Sequence, residues 1–104
     1  MRTFLIVMSL AAATPLAAQG IPGGWSEVPR AELASEVGAA ARFAVSRLPK
    51  PHGKLKTIVG AERQVVAGMN YRMLLVLSDG KRWRVQVWKK LDGTMQLTHH
   101  QQVK

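Results

Sequence analysis

Two Asp-Gly dipeptides constrain this chain more than any other feature. Asp79-Gly80 and Asp92-Gly93 each stand between runs in which apolar and polar residues alternate. Asp-Gly supplies the positive-φ backbone that a tight antiparallel connection requires, so alternating runs on either side of it read as a hairpin. Tyr71, Met73, Leu75 and Leu77 share one face of a strand. Trp83, Val85 and Val87 share a face of the next, and Met95 and Leu97 a face of the last. A less regular strand, about Lys54 to Val66, precedes them. Gly60 marks a candidate bulge in it, and its connection to the Tyr71 strand passes through Gly68. Successive turns of such a meander alternate between the ends of the sheet. The Gly68 and Asp92-Gly93 turns therefore share one end, and Asp79-Gly80 takes the other.

Ahead of the strands, Leu33, Val37, Ala40, Ala41, Ala44 and Leu48 recur at three- and four-residue spacing. This pattern predicts an amphipathic helix over residues 31–48, stopped by Pro49 and Pro51. Phe43 and Val45 flank the stripe on opposite sides and widen its apolar arc, so the helix expects to be wrapped. Residues 19–30, with Gly20, Pro22, Gly23, Gly24 and Pro29, read as a flexible leader holding no regular element. Residues 1–18 read as a secretory signal: Arg2, an apolar run from Phe4 to Ala13, and small residues ending at Ala18. The reading is a signal peptide over 1–18 and one domain over 19–104, with an antiparallel meander over 54–103. Its fold class is α+β, one helix wrapped by a curved sheet of four to five antiparallel strands. The expected location is secreted or periplasmic.

Export would leave 86 of the 104 residues and remove one cation, Arg2, taking the net charge from +9 to +8. With no cysteine, the chain has no disulfide framework, thiolate metal site or cysteine nucleophile. The catalytic inventory is thin. Asp79 and Asp92 have conformational reasons to sit in turns, and Glu32 and Glu36 sit near the helix start, where carboxylates suit the dipole. His99 and His100 point to opposite faces of a strand, and His52 is remote in sequence, so no metal set is indicated. An enzyme, a cofactor and a metal are not expected, and export argues against a nucleic-acid partner. The basic residues leave one alternative open. Arg72, Arg82 and Arg84 fall on the non-core face with Trp88 beside them, a surface for an anionic envelope component or an acidic protein.

Gln64-Val65-Val66-Ala67-Gly68 resembles the Gln-x-Val-x-Gly first hairpin loop of the cystatins, inhibitors of papain-like cysteine proteases. Ile21-Pro22-Gly23-Gly24 with Ser26-Glu27 is similar to the leader of the disulfide-free stefins, and Ala41-Arg42-Phe43-Ala44-Val45 resembles the plant-cystatin helix signature. Lys90-Leu91-Asp92-Gly93 stands in the place of the second hairpin loop. Its Asp92 replaces the stefin proline, and the Pro-Trp pair of other cystatins is absent. The resemblance covers the mature chain in order and implies the cystatin fold. It also implies reversible inhibition by occlusion, with a papain-like cysteine protease as partner. The protease-binding residues it implies are Gly23 and Gly24 in the leader, Gln64, Val65, Val66, Ala67 and Gly68 in the first loop, and Leu91 and Asp92 in the second. A monomer is expected, with exchange of elements between two chains left open.

Overall fold

A computed structural model describes residues 24–104; the expected signal peptide and Gly23 lie outside them. Strand β1 (Trp25–Glu27) leads into a 3-10 turn (Arg30–Glu32), a π-helical turn (Leu33–Val37) and helix α1 (Gly38–Ser46). Four strands follow: β2 (Leu55–Val66), β3 (Gly68–Leu77), β4 (Arg82–Lys89) and β5 (Met95–Val103). They form one sheet in the order β1-β2-β3-β4-β5, with every pair antiparallel.

The helical segment packs on one face of the sheet, and its small residues set how closely. Gly38, Ala40, Ala41 and Ala44 line its buried side, so the backbone lies near the sheet. The space left is filled from below by Tyr71, Met73, Leu75, Leu77, Val85 and Val87. Full burial of one such Leu or Val side chain stabilises by roughly 1.5–3 kcal/mol. Val28, itself buried, ties the entry of the helical segment to the same core.

Two details depart from the sequence reading. The leader does hold a regular element: Trp25, Ser26 and Glu27, free of Gly and Pro, pair with Gln64, Arg63 and Glu62. The partner strand lies far off in sequence, so no local pattern marks β1. The α-helix covers Gly38–Ser46 rather than residues 31–48: the 3-10 and π-helical turns take the place of its expected start, and it ends two residues before Leu48. Pro49 bars Leu48 from helical backbone, and the amides of Arg47 and Leu48 turn to the carbonyls of Ala44 and Val45 in three-residue steps. Strand β2 shifts register twice, between Leu55 and Thr57 and between Ile58 and Gly60, so the irregularity expected at Gly60 is present. A further shift opposite Gln86 and Val87 leaves Thr98 of β5 as an extra residue.

Candidate functional site

The register fixes which parts of the chain meet at one end of the molecule. Val66 pairs with Gly68 around Ala67, Lys89 pairs with Met95 around the second hairpin, and Trp25 of the leader strand pairs with Gln64. Leader, first hairpin and second hairpin thus share one edge, while the Asp79-Gly80 turn closes the other end. Among the described residues, four large hydrophobic side chains are exposed, and three of them, Val65, Val66 and Leu91, lie at this edge. Leu91 is 83 % exposed, which rules out a packing role as the reason for its identity.

The first hairpin is held from beneath. Gly68 has φ +97°, and a Cβ built there would stand 2.2 Å from the Lys89 carbonyl oxygen. Both the backbone conformation and the approach of β4 therefore require glycine. On the other side of the turn, the Trp88 indole N–H donates to the Ala67 carbonyl at 2.8 Å. Asn70 Nδ2 donates to Gln64 Oε1 at 3.0 Å, linking the two strands just behind the turn. Residues of β4 thus brace the first hairpin at its apex and at its exit.

The second hairpin closes on itself. The Lys90 amide donates to the Thr94 carbonyl at 2.8 Å, and the Gly93 amide, at φ +89°, to the Lys90 carbonyl at 2.9 Å. Asp92 Oδ1 accepts from the Thr94 amide at 2.9 Å and the Thr94 hydroxyl at 2.7 Å. These bonds hold the Asp92 carboxyl below the usual carboxylate range. The charge on this loop is therefore turned toward its own backbone, and Leu91 is left at the apex. Lys90 Nζ lies 5.3 Å from the centre of the Trp88 ring, so the same indole touches both hairpins.

Behind the edge, on the helix side, Arg63 of β2 pairs with Glu36 of the π-helical turn, both largely shielded. Tyr71 joins them. Burial first, then the charge of Glu36 and the hydrogen bond to it, push the phenol above its ordinary value. This cluster fastens the helical segment to the strand that carries Gln64 and Val65.

The Gly23 position lies outside the described residues, and Gly24 stands immediately before β1. Gln64, Val65, Val66, Ala67, Gly68, Leu91 and Asp92 all fall at the edge. The basic face is less uniform than alternation suggested. Arg82 and Arg84 are exposed, but Arg72 Nε donates to Glu62 Oε1 at 2.5 Å, and its guanidinium stacks 4.0 Å from the Trp25 ring centre. Trp88 belongs to the hairpin edge, cross-strand from Asn70 and Gln96. Between them, the outer face holds a shallow hollow of about 660 Å³ over Gly60, bordered by Leu74, Arg84, Gln86, His99 and Gln101. Among the described residues no three His, Asp or Glu side chains converge as a metal site, and no helix is long and apolar enough to cross a membrane.

Sequence reasoning did not foresee the stacking of Arg72 on Trp25 or the bond from Trp88 to Ala67. For Trp25 no signal existed, but the Glu62–Arg72 pair had one: both residues lie five positions from Ala67, as hairpin partners must.

The fold agrees with the comparison to known proteins. Residues 23–103 match the model of the cystatin domain, and the chain belongs to the cystatin family. It is similar to cysteine proteinase inhibitor 5 of Arabidopsis thaliana, with 35 % identity over 97 aligned residues that cover 84 % of this chain and 79 % of the relative.

Proposed function

We propose that this protein is a reversible inhibitor of papain-like cysteine proteases that occludes the active-site cleft with its hairpin edge. One observation carries the reading. Three chain segments converge on one end of the sheet and expose Val65, Val66 and Leu91 there, on one turn that β4 braces and one that its own hydrogen bonds close. An apolar ridge whose turns are already fixed loses little conformational freedom on entering a cleft, so more of the contact energy appears as affinity. Membership of the cystatin family and the similarity to a plant cysteine proteinase inhibitor support the same reading. Val65, Val66 and Ala67 present a compact apolar surface, Gly24 and the leader strand flank it on one side, and Leu91 flanks it on the other. Asp92 shapes its own loop rather than meeting the protease.

Inhibition of this kind needs no catalytic group on the inhibitor. The protein acts as a monomer after export to a secreted or periplasmic location, with residues 1–18 removed. N-terminal sequencing of the protein recovered outside the cytoplasm tests the export step. Titration of papain with the purified protein tests the activity: reversible inhibition without cleavage of the inhibitor is the expected result. Unchanged papain activity at micromolar protein refutes the reading.

A further inference from the structure

The positive charge of the chain is unevenly placed. At the end of the sheet opposite the hairpin edge, Leu55 pairs with Leu77 and Arg82 with Val103. This gathers the start of β2, the β3–β4 turn and the end of β5. Lys50, Lys54, Lys56, Lys81, Arg82 and Lys104 stand on these segments or on the connection just before them, and all six are exposed. The acidic side chain among them is Asp79, whose carboxylate accepts from the amides of Gly53 at 3.1 Å and Lys81 at 3.0 Å. Neither the Glu36–Arg63 nor the Glu62–Arg72 ion pair uses a cation from this pole.

From this placement we infer that the pole is a docking surface for an anionic phospholipid bilayer. Three features select a lipid surface over a nucleic acid or another linear polyanion. The cations sit on separate segments around a blunt end rather than along a groove, so a plane of phosphates meets them together. Five of the six are lysines, flexible point charges suited to delocalised attraction and lacking the planar fork that reads one phosphate in register. Every Trp, Tyr and Phe ring of the described residues is buried or half-buried, so none of these large rings is free to stack on bases.

The separation from the other end matters as much as the charge. The ten residues of β3 span the distance between the two ends, about 30 Å at strand rise. That is several times the screening length of about 8–10 Å in physiological salt. A protein held to a membrane by this pole keeps its hairpin edge in solution, an orientation whose value rests on the inhibitory role proposed above.

The test is co-sedimentation of the full chain with vesicles of equal parts phosphatidylglycerol and phosphatidylcholine, against phosphatidylcholine alone. Arg2 and the apolar run at residues 4–13 are common to both variants below, so the difference between those variants isolates the pole, and no protease enters the measurement. Each Lys or Arg near an anionic leaflet strengthens binding by about fivefold. The triple variant Lys54→Gln, Lys56→Gln, Lys81→Gln should therefore lose about a hundredfold in anionic-vesicle affinity. The triple variant Arg42→Gln, Lys89→Gln, Lys90→Gln, with the same loss of net charge, should retain nearly all of it. Equal losses in both variants overturn the inference, because net charge and not the pole would then explain binding. Binding to DNA or heparin without any preference for anionic vesicles overturns it as well.

Discussion

Gly68→Ala is the sharpest perturbation of the edge, and Gly93→Ala is its natural control. Both glycines have positive φ, +97° and +89°, so each substitution incurs the cost of placing an L side chain in left-handed backbone, roughly 1–2 kcal/mol. They differ in what the new methyl meets. At Gly93 there is nothing within 4 Å, whereas at Gly68 the Lys89 carbonyl oxygen is 2.2 Å away. Ordinary contact begins near 3.4 Å, so β4 and the turn must separate by about 1.2 Å. That separation breaks the Trp88–Ala67 hydrogen bond, which is worth about 0.5–1.5 kcal/mol net. Gly68→Ala should therefore destabilise by roughly 1.5–3.5 kcal/mol, and Gly93→Ala by roughly 1–2 kcal/mol. Both losses fall within the stability of a typical domain, about 5–15 kcal/mol, so both variants fold. Urea unfolding measures the stabilities, and papain titration of the folded variants measures the inhibition constants. Displacing the first hairpin should weaken inhibition by more than about tenfold, equivalent to ~1.4 kcal/mol, for Gly68→Ala. Equal stability losses in the two variants would mean that the close approach of β4 carries no energetic weight, and the bracing argument would fail.

Leu91→Glu should leave stability within about 0.5 kcal/mol, since an exposed side chain is being exchanged, while weakening inhibition; a stability loss with unchanged inhibition would make Leu91 a structural residue. Trp88→Phe keeps the ring but removes the donor to Ala67, and should lower unfolding free energy by about 1 kcal/mol in urea. Tyr71 is the sole tyrosine of the chain, so tyrosinate absorbance reads it alone. Its raised folded-state value means that the folded chain holds the phenolic proton more tightly than the unfolded chain. The associated stability is complete below the ordinary value of about 10 and is lost as pH rises through the folded value. Tyr71→Phe should flatten the alkaline loss; an absorbance midpoint at or below that of the urea-unfolded protein refutes the buried Glu36–Tyr71 contact. Asp92 runs the other way. Its lowered folded value contributes stability above the ordinary aspartate range that is lost as pH falls through the folded value, and Asp92→Ala should remove this acid-side dependence in urea titrations.

The meander was legible because two Asp-Gly turns and a strict two-residue alternation are local signals. The edge was legible from the same source, since turn parity alone puts Gly68 and Gly93 together. What sequence could not supply were contacts between segments without a shared turn. β1 is three residues long and pairs across the helix, so neither length nor periodicity announces it. The bond from Trp88 to Ala67 joins positions 21 residues apart, and alternation merely placed that indole on the outer face. Arg72 looked free for the same reason: its partner Glu62 lies in register across the hairpin, but its stacking on Trp25 depends on the unforeseen strand. The early end of the α-helix at Ser46 was in principle readable, because Pro49 restricts its neighbour directly.

The unequal pairing of β1 and β2 bears on the order in which the molecule opens. Ten register pairs join β2 to β3 around a turn centred on one residue, whereas three join β1 to β2. Glu27 and Glu62 close a loop of about 35 residues, so contacts that reward this closure arrive after its entropy has been spent. β1 should therefore dock last in folding and lose amide-exchange protection first, with buried Val28 acting as the hinge that stays behind. On the inhibitory role proposed above, a leader that detaches by itself would let the two hairpins engage a cleft before the third segment closes. Association would then proceed in two kinetic steps, with the second governing how long the complex lasts.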